Sequence, residues 1–201
     1  MTDQTEKGKT QIILPTGIAS TLIVTAPTVW LSYRFAPEWF NDALHEAHSG
    51  SDHHSRRREI IFAVCAAESY ILEWVRDEVL NRDFQKLNIY FPPGRWMTVT
   101  DKWKEIPKQL LKDRLIRGIP VLEDPGYWGE WLKLIEYRNG LIHARASRPE
   151  TASLSEKEKP KPSKTILDNM ASGWPTRVVA ELIRRLHAAT GSAMPPWVQE
   201  P

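Results

Sequence analysis

Cysteine is nearly absent: the 201 residues hold one, Cys65, so no disulfide can close within the chain. Its place in an apolar helical run marks it as a small buried hydrophobe rather than a nucleophile. An excess of one charge is missing too. Lys and Arg number 27 against 25 Asp and Glu, for a net charge of +2. That excludes a broad basic field for long nucleic acids and leaves RNA binding to local patches. No apolar run is long and continuous enough to span a bilayer; residues 11–31 come nearest and are interrupted by Pro15 and Gly17. A signal peptide is the rival reading of that stretch. Asp3 and Glu6 offset the early lysines and no small-x-small cleavage site follows, so a cytoplasmic protein is expected. His45, His48, His53 and His54 have no HExxH pattern and no cysteine partners. They read as a solvated helix end and turn, and no metal is assigned. There is no internal repeat.

What is present is helical periodicity, nine tryptophans and 15 prolines. The length allows one sizeable core with tails. Residues 1–31 read as a polar start followed by a short β-hairpin or extended arm, because Ser20–Thr25 is rich in β-branched residues. Residues 32–190 read as a single helical domain of about five helices, and 191–201 as a tail in which Trp197 packs back. Within the domain, Pro37–His48 has amphipathic spacing. Ser55–Asp83 carries the stripe Ile61, Val64, Cys65, Leu72, Val75 and Val79 behind a run of three arginines, Arg56–Arg58. A break at Phe91–Gly94 precedes Asp101–Arg117, a basic helix with Asp101 as its expected N-cap. Residues 146–173 are poor in apolar side chains and read as a mobile loop, and Trp174–Thr190 closes the bundle.

The remaining helix, Tyr127–Arg145, carries the most chemistry. Trp128, Trp131, Leu132, Ile135 and Ile142 recur every three or four residues and predict one inward stripe. Arg138 and Asn139 continue that stripe, with His143 one turn beyond Asn139. Polar side chains on a core face need partners or a function. A guanidinium presents a fork of donors shaped for a phosphate, and an imidazole is suited to proton transfer near neutral pH. Together they suit phosphodiester cleavage. Arg138 and His143 are five positions apart, about 140° around the axis, so they flank a surface rather than touch. One copy therefore builds half a site. Gly140 suits a close backbone approach, as at a helix–helix dimer contact. Glu68 falls on the stripe of the long Ser55–Asp83 helix, and Arg138 is its expected ion-pair partner. Trp128 and Trp131, beside the motif, are candidate base-stacking residues, with core packing as the plainer role.

Arg138-Asn139-Gly140-Leu141-Ile142-His143, an Arg and a His separated by four residues with Asn after the Arg, resembles the signature of the HEPN domains (higher eukaryotes and prokaryotes nucleotide-binding). The resemblance covers at most Ser55–Arg145 plus a final helix. It implies an all-α HEPN-like bundle. It also implies a metal-independent, cofactor-free endoribonuclease of a defence or toxin–antitoxin system, with an antitoxin or other defence protein as a possible partner. On that resemblance two motifs meet across a homodimer: His143 promotes attack by the ribose 2′-hydroxyl, Arg138 holds the scissile phosphate, Asn139 assists and Glu68 orients. In HEPN toxins controlled by a nucleotidyltransferase, a modified Tyr stands two places after the His; here that place is Arg145, which argues against such control. Two other classes remain: a catalytically silent HEPN-like module that binds a partner protein or nucleotide, and an unrelated helical scaffold.

Overall fold

The computed structural model describes residues 12–13, 19–25, 28–32, 34–49, 52–80, 84–143 and 167–198. It divides into two units, Met1–Arg34 and Phe35–Pro201. In the first, β1 (Ile12–Ile13), β2 (Ala19–Thr25) and β3 (Thr28–Ser32) pair antiparallel in the order β1-β2-β3. Thr25 opposes Thr28 and Thr21 opposes Ser32, so the β-branched run forms the middle strand. The Pro-Thr-Gly segment at 15–17 lies outside the described residues.

The second unit is an all-α bundle. Its helices are α1 (Ala36–Ser49), α2 (His53–Trp74), the short α3 (Leu87–Tyr90), α4 (Val99–Lys112), the short α5 (Pro120–Glu123), α6 (Pro125–His143) and α7 (Trp174–Thr190). The hub is α2, which packs on α1, α4, α6 and α7. A helix covered by neighbours on several sides must be apolar nearly all round. Accordingly Ile60, Ala63, Ala66, Ala67 and Ile71 are all fully buried, and the alanines let neighbouring helices come close. Around them gather Phe40, Trp103, Leu110, Trp131, Leu134, Leu182 and Ile183, also fully buried.

Several polar side chains of α2 stitch the bundle together. Asp52 caps α2 itself, accepting from the backbone N–H of His54 and Ser55 at 2.6 and 2.9 Å. Glu73 accepts from the N–H groups of Phe35 and Ala36 at the start of α1. Glu59 does the same at the start of α7, accepting from Gly173 and Thr176. The first turn of a helix leaves N–H donors without intrahelical acceptors. Here two carboxylates of a neighbouring helix supply acceptors, and Gly173, the residue before α7, has no side chain with which to do so.

The structure corrects several expected boundaries. The helix predicted over Ser55–Asp83 is α-helical only to Trp74 and continues as a π-helix over Val75–Leu80. The basic helix starts at Val99 rather than Asp101: Thr98 is the N-cap, and Asp101 returns a bond to it in a reciprocal capping box. It ends at Lys112 rather than Arg117. Leu115 donates to Leu110 and Arg114 to Leu111, a Schellman closure with Arg114 in the left-handed region at φ 59°. Of the loop expected over 146–173, residues 146–166 lie outside the described residues. The part from 167 belongs to the core, with Leu167 and Met170 buried. Trp197 packs edge-on against Phe40 and Tyr70, as expected of the tail.

Candidate functional site

The N-terminal half of α6 is fastened to α7. Asp124 accepts from the Tyr127 N–H and pairs with Arg185, whose guanidinium lies 4.3 Å from the centre of the Tyr127 ring. The Tyr127 hydroxyl donates to the Val178 carbonyl. Trp174 donates its indole N–H to Glu130, and Lys133 lies over the rings of Trp174 and Tyr137. The middle of α6 enters the core through Trp131, Leu134 and Ile135. Trp131 meets Trp103 edge-on at 6.4 Å.

Past Ile135 the helix climbs out of the core, and here the predicted stripe is corrected. The inward line runs Trp131, Leu134, Ile135, then half-buried Arg138 and Leu141. Leu132 and Ile142, expected inside, are 42% and 44% exposed. The reason is that α6 has core neighbours on one side only, so its apolar residues outnumber the places available for them. Arg138 thus does continue a core-facing line. Asn139 lies on the exposed side and accepts from the Arg138 guanidinium at 3.1 Å. His143 is the last residue of α6; its side chain, and the contact expected between it and Asn139, lie outside the described residues.

Arg138 faces α2 near Cys65. Burial pushes the Cys65 thiol up, while the positive charge of Arg138 pulls it down and the negative charge of Glu68 adds to the rise. Both charges therefore act on the thiol, yet Glu68 is not the partner of Arg138. Its carboxylate pairs with Lys102 at 2.5 Å, which corrects the expected ion pair. The physical cause is the crossing of α4 over α2: Trp103 donates its indole N–H to the Ala67 carbonyl, and that anchor delivers the adjacent Lys102 to Glu68. Among the described residues no carboxylate pairs with Arg138, whose one hydrogen bond is to Asn139.

Other sequence candidates divide differently. Of the arginine run, Arg58 forks onto Glu46 at 2.6 and 2.9 Å and Arg56 donates to the Leu167 carbonyl, so both act as ties. The Arg58 guanidinium holds the Glu46 carboxyl below its ordinary value. Arg57 is exposed. Trp131 is fully buried and cannot stack on a base, and Trp128 is partly buried. Ser49 bonds His45, and His53 meets Asp168 at 2.7 Å. Among the described residues no group of three or more His, Cys, Asp or Glu is placed to hold a metal, and no helix is long and apolar enough to cross a membrane.

Three features carried no signal in the sequence. Glu59 is fully buried, and burial raises its carboxyl pKa against the lowering effect of three hydrogen bonds. Tyr70, His187 and Ser192 form a polar chain that runs from the interior of the bundle to its surface: the Tyr70 hydroxyl bonds His187 Nε2, and His187 Nδ1 meets the exposed Ser192 Oγ at 2.8 Å. Burial raises the Tyr70 pKa and lowers that of His187. The third is a small cleft beside the α3–α4 turn, lined by Arg95 and Met97, between which Trp96 stands almost wholly in solvent without lining it. The preceding Pro-Pro-Gly break marked a turn, but not that its Trp would have no core to enter. Compared with protein-family models, with curated proteins and with solved structures, the chain gives no match.

Proposed function

We propose that this chain is a metal-independent endoribonuclease working through paired Arg138–His143 motifs of two copies. The observation that carries the reading is Arg138: a half-buried guanidinium without a carboxylate partner among the described residues, steadied by Asn139 at the emerging end of α6. A buried or half-buried cation left without a counter-charge is costly, and a phosphate supplies the missing charge with matching geometry. The outer side of α6 supports pairing with a second copy. Gly129, Leu132, Asn139 and Ile142 lie along it, the glycine with nothing within 4 Å of the place a Cβ would take and the two aliphatics exposed. Packing that line against its counterpart would bury apolar area and set the emerging ends of the two α6 helices, which carry the motifs, beside each other.

In the proposed reaction the ribose 2′-oxygen attacks the adjacent phosphorus as its proton passes to an imidazole, His143 of one copy. The bond from phosphorus to the 5′-oxygen breaks, that oxygen takes a proton, and the products are a 2′,3′-cyclic phosphate and a 5′-hydroxyl. Arg138 neutralises the charge that gathers on the phosphorane oxygens. Glu68, paired with Lys102, takes no part in holding the phosphate.

The test is cleavage of a mixed RNA in EDTA by the native chain, by His143→Ala and by Arg138→Ala, with product ends mapped and oligomeric state measured at micromolar concentration. Cutting by a dimer that is lost in both variants and leaves cyclic phosphate ends is the expected result. A folded dimer that cuts nothing would turn the reading to a silent helical module, and cutting that survives in His143→Ala would place the site elsewhere.

A further inference from the structure

A second site stands beside the turn between α3 and α4. The turn after α3 breaks at Pro92-Pro93-Gly94, with Gly94 in the left-handed region at φ 74°. It then presents Arg95 and Trp96 to solvent, Trp96 at 91% exposure and Arg95 without a carboxylate partner among the described residues. The Trp96 indole offers a large flat face that can stack on a planar ligand. Next to it lies a cavity of about 150 Å3 lined by Ile89, Pro92, Arg95, Met97, Glu105 and Gln109. That falls well short of the roughly 300 Å3 of a drug-sized pocket, so it takes one ring system and not a whole nucleotide.

The polar groups at the cleft are disposed to accept. Gln109 spends an amide N–H on Asp113 at 3.0 Å, which leaves its carbonyl oxygen open. Glu105 gives one carboxylate oxygen to Lys108 at 3.2 Å, which leaves the other. Tyr90, at the cleft's edge, is committed as a donor to Asp113. A flat ligand with two adjacent N–H donors on one edge fits this set, and among the RNA bases guanine is the one that offers both N1–H and N2–H there. Beside the cleft α4 shows exposed Lys104, Lys108 and Lys112 at four-residue spacing, a row that follows phosphates.

We infer that this cleft binds one guanine base of single-stranded RNA, with Trp96 stacking on the base, Glu105 accepting from its Watson–Crick edge, and Arg95 with the α4 lysines holding the flanking phosphates. The inference deepens the ribonuclease reading by naming a substrate feature, and it rests on RNA being the ligand.

The probe is a fluorescein-labelled single-stranded hexamer with one guanine among adenine and uracil. Controls carry adenine or inosine in that place. Binding is measured to the full chain bearing His143→Ala, so that no cutting intervenes. Trp96→Ala is expected to weaken binding of the guanine strand about tenfold or more, as loss of a stacked base does. In the Trp96-intact chain, inosine, which lacks the N2 amino group, binds less tightly than guanine; in Glu105→Ala that difference disappears. Both side chains are on the surface, and an unchanged circular dichroism spectrum shows the variants folded. Unchanged affinity in Trp96→Ala, or no RNA binding at all, overturns the inference; equal affinity for guanine and adenine strands overturns the choice of base. The two proposals fail separately. Trp96-dependent guanine binding by a chain that never cuts leaves this site standing, whereas cutting with KM unchanged in Trp96→Ala removes this site alone.

Discussion

Replacing Glu59 with Ala tests whether the bundle is held by carboxylates that α2 lends to other helices. Glu59 is fully buried and accepts from Gly173 N–H at 3.1 Å, Thr176 N–H at 3.4 Å and the Thr176 hydroxyl at 2.9 Å. Truncation removes the acceptor that caps α7 and strands two backbone donors out of reach of water, at about 1–3 kcal/mol each, with the longer bond to Thr176 at the low end. The sum is about 2–4 kcal/mol, a large share of the roughly 5–15 kcal/mol that holds a domain together. At about 2–4 °C per kcal/mol for a chain of this size, the melting temperature falls by about 4–16 °C. Urea unfolding followed by circular dichroism, with m unchanged, is the assay. Glu59→Gln keeps one acceptor but turns an amide donor towards a donor, so it falls between the two. A loss below about 1 kcal/mol in Glu59→Ala would refute the reasoning. The pH dependence gives a second check. Burial raises the folded pKa above the ordinary value of 4.5, so the native state binds more protons than the unfolded one just above that value. The contribution of Glu59 to stability is therefore fully present below about pH 4.5 and declines as pH rises through the folded pKa. Glu59→Gln should remove that decline.

His187 should show the opposite sign. Burial lowers its folded pKa below 6.5, so its contribution is complete above about pH 6.5 and is lost as pH falls towards the folded pKa; His187→Gln should flatten the acid limb of an unfolding series. The paired tryptophans separate packing from hydrogen bonding. Trp103 Nε1 donates to the Ala67 carbonyl at 3.1 Å, whereas Trp131 Nε1 is buried without a partner among the described residues. Trp103→Phe should therefore cost about 1 kcal/mol more than Trp131→Phe in the same denaturation assay, and equal losses would deny the hydrogen bond its role. Lys102→Met and Glu68→Gln should each change stability by about 1 kcal/mol or less, because the carboxylate is more than a third exposed. A loss several times larger would show that the pair is shielded from solvent.

The sequence by itself determined the kind of fold and the place of most helices. Periodicity of three and four is a local property, and it marked the places of α1, α2, α4, α6 and α7, overshooting the C-terminal ends of α2 and α4. It also located Arg138 and Asn139 on α6, because residue spacing on a helix needs no tertiary knowledge. Helix ends were less legible where a neighbour decided them. The start of α4 was legible in the local Thr98-x-x-Asp101 spacing of a capping box, whereas Arg114 ends α4 in a conformation that Gly more often takes. Tertiary structure alone decided which side of α6 meets the core, since Leu132 and Ile142 differ from Leu134 in neighbours and not in hydrophobicity. It alone decided the partners of charged groups. Glu68 and Arg138 look matched in one dimension, but the crossing of α4 puts Lys102 on Glu68, and Glu59 finds its donors in a helix more than a hundred residues away. A charge pairs with whatever the packing of apolar faces brings within reach, and that choice is made between helices, where a single chain pattern has no say.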